Sequence, residues 1–345
     1  MAEREGFEPS IRFCRILTFQ ASAFDHSATA PQRYGLERRV PKAPSAVVQA
    51  IAWAGAVGQD CGMIALALIL AAAAQVAAVP LPSDAMPADW RAIPDDEILV
   101  VTLSGERTVV VRLATRFAPA HVANIRALAQ ARWWDDASVY RVQDNWVAQW
   151  GDATEKKPLP AGVVAQPAQE YEGAPFVVAQ RLRKADAYSS AAGLTADGWP
   201  MATDGASGWL THCYASVGVA RGAAPSTGSG AELYTVIGTP ARRLDRNYAV
   251  IGRIVEGMAH MSAMPRSAAR MGFYEQASER TPIVSVRLAS DIPAAVRPRF
   301  EYRSPDNPRF AALIARAERP DPPTVAPDGV DVCAVPLEVR RAVPR

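Results

Sequence analysis

The stretch Val139-Tyr-Arg-Val-Gln-Asp-Asn-Trp-Val-Ala-Gln-Trp-Gly-Asp152 contains two short strand-like runs, 138–142 and 146–149, and sits in the middle of a series of such runs. Upstream, Ile98–Leu103 and 108–113 are β-branched runs separated by Ser104-Gly-Glu-Arg107, where a Gly-containing connection predicts a hairpin. Pro119 suits the first turn of a helix, and Val122, Ile125, Leu128 and Ala129 then recur at helical spacing before Trp133 and Trp134. Downstream, residues 215–220, 232–237, 249–256 and 283–288 read as further strands. Many short strands with two helical segments predict a mainly β fold, a closed antiparallel barrel capped by two α-helices. Residues 152–208 read as a long irregular loop insertion rich in Gly, Ala and Pro, with 176–180 as its one candidate strand. From about Ile292 the chain becomes a Pro- and Arg-rich tail with a short helical candidate at 310–316.

Of 345 residues, 49% are hydrophobic, enough for one good core, and the 28 prolines concentrate before Ile98 and after Ile292, which leaves one pattern-rich block for the fold. The organisation expected is therefore a non-native or disordered extension at 1–62, a signal peptide at 63–78, one domain at 95–290 and the tail at 291–345. Net charge is +2 with Lys and Arg scattered, so the basic stripe of a nucleic-acid partner is missing. Cys14, Cys61, Cys213 and Cys333 form no CxxC pair or Cys/His cluster at zinc spacing, and no structural metal is expected. Whether Cys213 and Cys333 pair stays open.

Residues 64–79 form an apolar run that ends abruptly before Pro80 and Pro82, a length that suits a signal h-region better than a membrane span of about 20 residues. Val76 and Ala78 stand at the −3 and −1 positions of a small-residue cleavage site, so the expectation is export to the periplasm, cleavage after Ala78, and no stable membrane insertion afterwards. The preceding 62 residues resemble a string produced when a transfer-RNA gene is translated, which makes Met63 a candidate start and predicts that 1–62 is not a folded domain.

Four segments occur in a particular order: 107–113; Ala118-Pro-Ala-His-Val-Ala-Asn-Ile-Arg-Ala-Leu128; the 139–152 stretch; and Leu244-Asp-Arg-Asn-Tyr-Ala-Val-Ile-Gly-Arg-Ile-Val-Glu-Gly-Met258. Together they resemble the cyclophilin family of peptidyl-prolyl cis-trans isomerases over Ile98 to Leu288. The resemblance implies that Arg141 is the catalytic arginine and that Gln149 binds the substrate backbone. It further implies a proline pocket made by Trp146, Val147, Tyr234, Leu244 and Tyr248, with the 153–208 connection beside it. The chain departs from the family pattern at Tyr140, where relatives have His, at Ser216-Val-Gly-Val219, at Ala231-Glu-Leu-Tyr234 and at Arg243 on the pocket rim.

The implied chemistry needs no cofactor and no metal. Rotation about an X-Pro bond meets a barrier of about 18 to 20 kcal/mol because the twisted state loses amide conjugation. A pocket for the ring and a rigid guanidinium that hydrogen-bonds the prolyl nitrogen suffice to favour that state. The expected activity is isomerisation of proline-containing segments of exported polypeptides by a monomeric chain. The alternative is a catalytically weak peptide-binding or chaperone module on the same fold, and a carbohydrate-binding barrel is a third reading, suggested by Trp133, Trp134 and Trp199. Each site residue also has a structural reading: Arg141 as a surface ion-pair partner, Trp146 and Val147 as core, Gln149 as a partner of barrel backbone. His121, His212 and His260 have no partners at triad spacing and are assigned no catalytic role, and Ser226-Thr-Gly-Ser-Gly230 reads as a glycine-rich turn, not a phosphate cradle.

Overall fold

A computed structural model describes residues 85–325 and 328–342, so the expectations for 1–62 and for the signal peptide at 63–78 lie outside the described residues. The strands in chain order are β1 (Trp90–Ala92), β2 (Ile98–Leu103), β3 (Arg107–Leu113), β4 (Ser138–Val142), β5 (Val147–Gly151), β6 (Gln180–Arg181), β7 (Ala191–Leu194), β8 (Pro200–Thr203), β9 (Gly208–Leu210), β10 (Ser216–Val219), β11 (Leu233–Val236), β12 (Val250–Glu256), β13 (Thr281–Leu288), β14 (Phe300–Arg303) and β15 (Val339–Arg341). Among the described residues three α-helices accompany them: α1 (Pro119–Gln130), α2 (Met258–Ser262) and α3 (Pro308–Glu318).

Eight strands close into an antiparallel barrel in the order β10-β11-β5-β4-β13-β2-β3-β12, with β12 returning to β10. β2 and β3 pair along their whole length, from Ile98 opposite Arg112 to Leu103 opposite Arg107, across a turn in which Gly105 and Glu106 take left-handed conformations. The barrel interior is an apolar core that includes Leu99, Val111, Val139, Ala148, Trp150, Val217, Leu233, Ile251 and Val286. Against β13 lies α1, and α2 lies against β3. On α1 the predicted face holds: Val122, Ile125, Leu128 and Ala129 are all buried, and each fully buried aliphatic side chain contributes about 1.5–3 kcal/mol. Pro119 occupies the first turn of that helix, whose exposed N–H groups are met by Glu170 from the insertion: its carboxylate accepts from Ala120 N at 2.8 Å and His121 N at 3.0 Å.

Two regions are more ordered than the composition predicts. Within 152–208 the chain does not run as an irregular loop: β6, β7, β8 and β9 form a four-stranded antiparallel sheet, while most of the 176–180 candidate lies outside a strand. The tail likewise folds. β14 pairs with both β1 and β15, and α3 starts at Pro308 behind Asn307, whose side chain accepts from Phe310 N at 2.9 Å. These two regions share a core, in which Leu182, Ala192, Leu194, Ala202 and Trp209 meet Phe310, Ile314, Val332 and Val335. The apolar residues of these stretches are buried against residues far away in the sequence, which a local pattern does not show.

A disulfide between Cys213 and Cys333 ties this second layer to the chain just before β10, across a sequence separation of 120. Closing so long a loop restricts the unfolded chain, and replacing both cysteines by serine is expected to lower stability by about 2 to 5 kcal/mol. Urea denaturation of the double variant beside the oxidised wild type measures this, and superimposable curves would show that packing alone holds the layer.

Candidate active site

The antiparallel register places four residues in one row across four strands. Arg141 on β4 stands opposite Gln149 on β5, Gln149 opposite Tyr234 on β11, and Tyr234 opposite Gly218 on β10. Their chain neighbours Ala148, Leu233 and Val217 face the barrel core, so this row lies on the outer face. Gly218 is a glycine because the Tyr234 ring lies where a Cβ would stand. A break in register between Val139 and Arg141 makes a bulge in β4, and it turns Tyr140 to the same face as Arg141. Both side chains consequently reach Gln149.

Beside this polar row the residues assigned to the proline pocket come together. Val147, Tyr234 and Leu244 are buried in one apolar cluster with Val236 and Ala241, and Trp146, Ala220 and Tyr248 pack against it half-buried. Tyr248 meets Tyr234 edge-on, with ring centroids 5.9 Å apart. Five of the sequence-assigned pocket residues thus share one cluster.

Arg141 departs from expectation in one respect. It is 2% exposed and so not at the surface, because the segment around Met271 and Phe273 covers it. Its Nε donates to Met271 O at 2.8 Å, Nη1 to Gln149 Oε1 at 3.0 Å and Nη2 to Gln143 Oε1 at 2.6 Å, and the guanidinium lies 5.0 Å from the Phe273 ring centroid. These partners fix the plane of the guanidinium. The surface ion-pair reading of Arg141 is replaced by a buried, oriented donor.

The departures from the family pattern at Tyr140 and Glu232 are partners of each other. Gln149 Nε2 donates to the Tyr140 hydroxyl at 2.7 Å, and that hydroxyl donates to Glu232 Oε2 at 2.7 Å. The Asp152 N–H donates to Glu232 Oε1 at 2.8 Å. Burial pushes the Glu232 carboxyl up to about 8, against the opposing effect of the hydrogen bonds from Tyr140 and Asp152, while the charges of Glu155 and Asp152 push it further in the same direction. Burial, first, and the Glu232 charge, second, hold the Tyr140 phenol well above its usual range.

A second network supports the pocket from behind. His212, assigned no role from sequence, is buried between Asp245, 2.9 Å from Nδ1, and the Tyr234 hydroxyl, 2.9 Å from Nε2. The Asp245 carboxylate accepts from Nδ1–H, and Nε2 shares a hydrogen bond with the Tyr234 hydroxyl. Asp245 also accepts from Arg242 Nε at 2.7 Å, and Arg242 Nη1 reaches Asp186 of the insertion at 2.7 Å. Burial raises the Asp245 carboxyl, but His212 and Arg242 outweigh it and hold the group below the usual range. No spacing in the sequence signals this set, since Tyr234 and Asp245 lie 22 and 33 residues from His212. Among the described residues no group of three or more His, Cys, Asp or Glu could hold a metal ion, and no helix is long and apolar enough to cross a membrane.

Glu232 gives the fold a pH dependence whose sign follows from its two states. The unfolded group releases its proton near 4.5 and the folded one near 8, so the folded chain binds more protons between those values. Its contribution to stability is fully present at low pH and is lost as pH rises from about 4.5 through 8. The thermal midpoint of the wild type is expected to fall between pH 6 and 9, and that of Glu232→Gln to fall less over the same range. Parallel declines in the two proteins would count against a half-buried, titrating Glu232.

Residues 98–288, more than half of the chain, match the family described as cyclophilin type peptidyl-prolyl cis-trans isomerase/CLD. Among solved structures, cyclophilin AquaCyp293 from Hirschia baltica is similar in fold, with a TM-score of 0.59 at 22% identity over 75% of this chain and 96% of that one. A cyclophilin type isomerase from Cryptosporidium parvum, crystallised in the presence of the dipeptide Ala-Pro, aligns at 10% identity with a TM-score of 0.35, over 55% of this chain and 98% of that one. No curated protein sequence matched the chain.

Proposed function

Because this chain belongs to the cyclophilin-type family of peptidyl-prolyl cis-trans isomerases, we propose that it interconverts X-Pro bonds in exported polypeptides, with Arg141 as the donor to the prolyl nitrogen. The observation that carries the reading is the row in which Arg141 and Gln149 stand beside the cluster of Trp146, Val147, Tyr234, Leu244 and Tyr248. The apolar cluster takes the proline ring and excludes water. A hydrogen bond from Arg141 to the nitrogen grows as the lone pair localises, so it is stronger in the twisted state than in either planar one, the condition for lowering a barrier. Gln149, anchored on both sides by Arg141 and Tyr140, presents its amide to the peptide backbone. No bond to carbon is made or broken.

The burial of Arg141 and its commitment to Met271, Gln143 and Gln149 favour a second reading, a peptide-binding or chaperone module with slow turnover. Arg141→Lys separates the two. The ammonium keeps the charge but not the fork of donors, and the expected loss is about 2.7 to 4 kcal/mol of transition-state stabilisation, roughly a hundredfold to a thousandfold in rate. The measurement is exchange of a short Ala-Pro peptide by NMR, with circular dichroism to establish folding and peptide affinity read separately. Equal rates for variant and wild type, within a factor of about two, would give the lead to the binding module.

Export is supported by the apolar run at 64–79 and by the Cys213–Cys333 disulfide, a bond that persists in oxidising compartments. The mature protein is expected in the periplasmic fraction as a monomer with its N-terminus near Val79. Retention in the membrane with Met63 intact would replace the signal peptide by an anchor.

A further inference from the structure

We propose that Glu232 is a positioning residue for the isomerase reaction: through Tyr140 it sets the direction of the Gln149 amide, and through Gln149 the aim of Arg141. The inference rests on the reading of Arg141 as the donor and adds to it a control that lies in this chain's own departures from the family pattern.

The argument is one of donors and acceptors. Glu232 as a carboxylate only accepts, so the Tyr140 hydroxyl must give its proton to Oε2. The Tyr140 oxygen is then an acceptor toward β5, and Gln149 meets it with Nε2. That choice leaves Oε1 as the end of the amide turned to Arg141, whose Nη1 donates to it. Reversing the first link reverses the others. A protonated Glu232 can donate to the Tyr140 oxygen, Tyr140 then gives its proton to Gln149, and the Gln149 amide turns its NH2 toward Arg141. Two donors face each other there, and Arg141 loses one of the bonds that fix its plane.

The groups around Glu232 are consistent with one titration controlling the chain. From β4 it faces Tyr140, with Arg141 two links further, through Gln149; from the turn after β5 come the Asp152 N–H and the carboxylates of Asp152 and Glu155. The tyrosine stays protonated far above neutrality, so it relays direction without changing charge. Glu232 itself changes state near 8. The Glu232 carboxylate packs directly on Gly151, in the space that a Cβ there would occupy.

The test uses the mature chain and a short Ala-Pro peptide across pH 6.5 to 9.5. In the wild type kcat/KM is expected to rise about tenfold with an inflection near 8, as the carboxylate form becomes populated. Glu232→Gln and Tyr140→Phe, which remove the titration and the relay respectively, are expected to give flat profiles. The side-chain amide signals of Gln149, followed by NMR without peptide, supply a readout apart from turnover. They should shift with the same midpoint in the wild type and hold still in Glu232→Gln. A Gln149 amide that ignores pH in the wild type, or an inflection that survives in Glu232→Gln, overturns the relay. If the amide titrates as expected while no variant turns peptide over, the relay stands and the reading of Arg141 as catalytic donor falls.

Discussion

The site depends on one hydrogen-bond register, in which β4, β5 and β11 pair so that Arg141, Gln149 and Tyr234 stand side by side on the outer face of the barrel. In an antiparallel sheet side chains alternate faces, so a slip of one residue would send these three into the apolar interior and bring Ala148 and Leu233 out. The closed barrel makes such a slip costly because every strand is paired on both sides. The bulge between Val139 and Arg141 uses the same constraint. By spending one extra residue it turns Tyr140 and Arg141 to one face, and both ends of the Gln149 amide find partners.

The layer built from the insertion and the tail stands behind this arrangement. Asp186 of the insertion holds Arg242, Arg242 holds Asp245, and Asp245 holds the His212 ring that is hydrogen-bonded to Tyr234. Trp209, at the centre of the shared core, donates to the same Asp245 carboxylate at 3.2 Å. A pocket tyrosine is thereby fixed by residues on three separate segments, 186, 209–212 and 242–245, and the disulfide lies one residue from His212. Removing one member of such a buried charged set leaves the others uncompensated, a more serious loss than the net worth of any one pair.

Two departures from the family pattern prove to be a matched pair. A tyrosine in place of the family's histidine puts a neutral donor beside Gln149, and the glutamate of Ala231-Glu-Leu-Tyr234 supplies its acceptor. Burying a carboxylate in this setting is unfavourable, which is why its proton is held to about 8, and the hydrogen bonds from Tyr140 and the Asp152 amide offset only part of that cost. The polar network is satisfied at every named link, the condition under which buried polar groups orient a site.

The barrel was legible in the sequence because its strands carry their own local signal. Ser138–Val142 matches the expected run, Ile98–Leu103 and Arg107–Leu113 form the expected hairpin, and the buried positions of α1 are those that recur at helical spacing. Motif order assigned Arg141, Gln149 and the pocket residues, and β-sheet periodicity suffices to bring Arg141, Gln149 and Tyr234 to one face. The sequence did not reveal the second layer, since β6 is two residues long, β7 to β9 are three or four, and their apolar residues are buried against distant segments, α3 and 332–335 in one cluster and Ala114 and Val250 in another. Nor did it reveal the partners of Tyr140, His212 and Arg141. A side chain's hydrogen-bond partner and its burial are set by which segments meet in space: 92 residues separate Tyr140 from Glu232 and 130 separate Arg141 from Met271, distances over which local pattern carries no information.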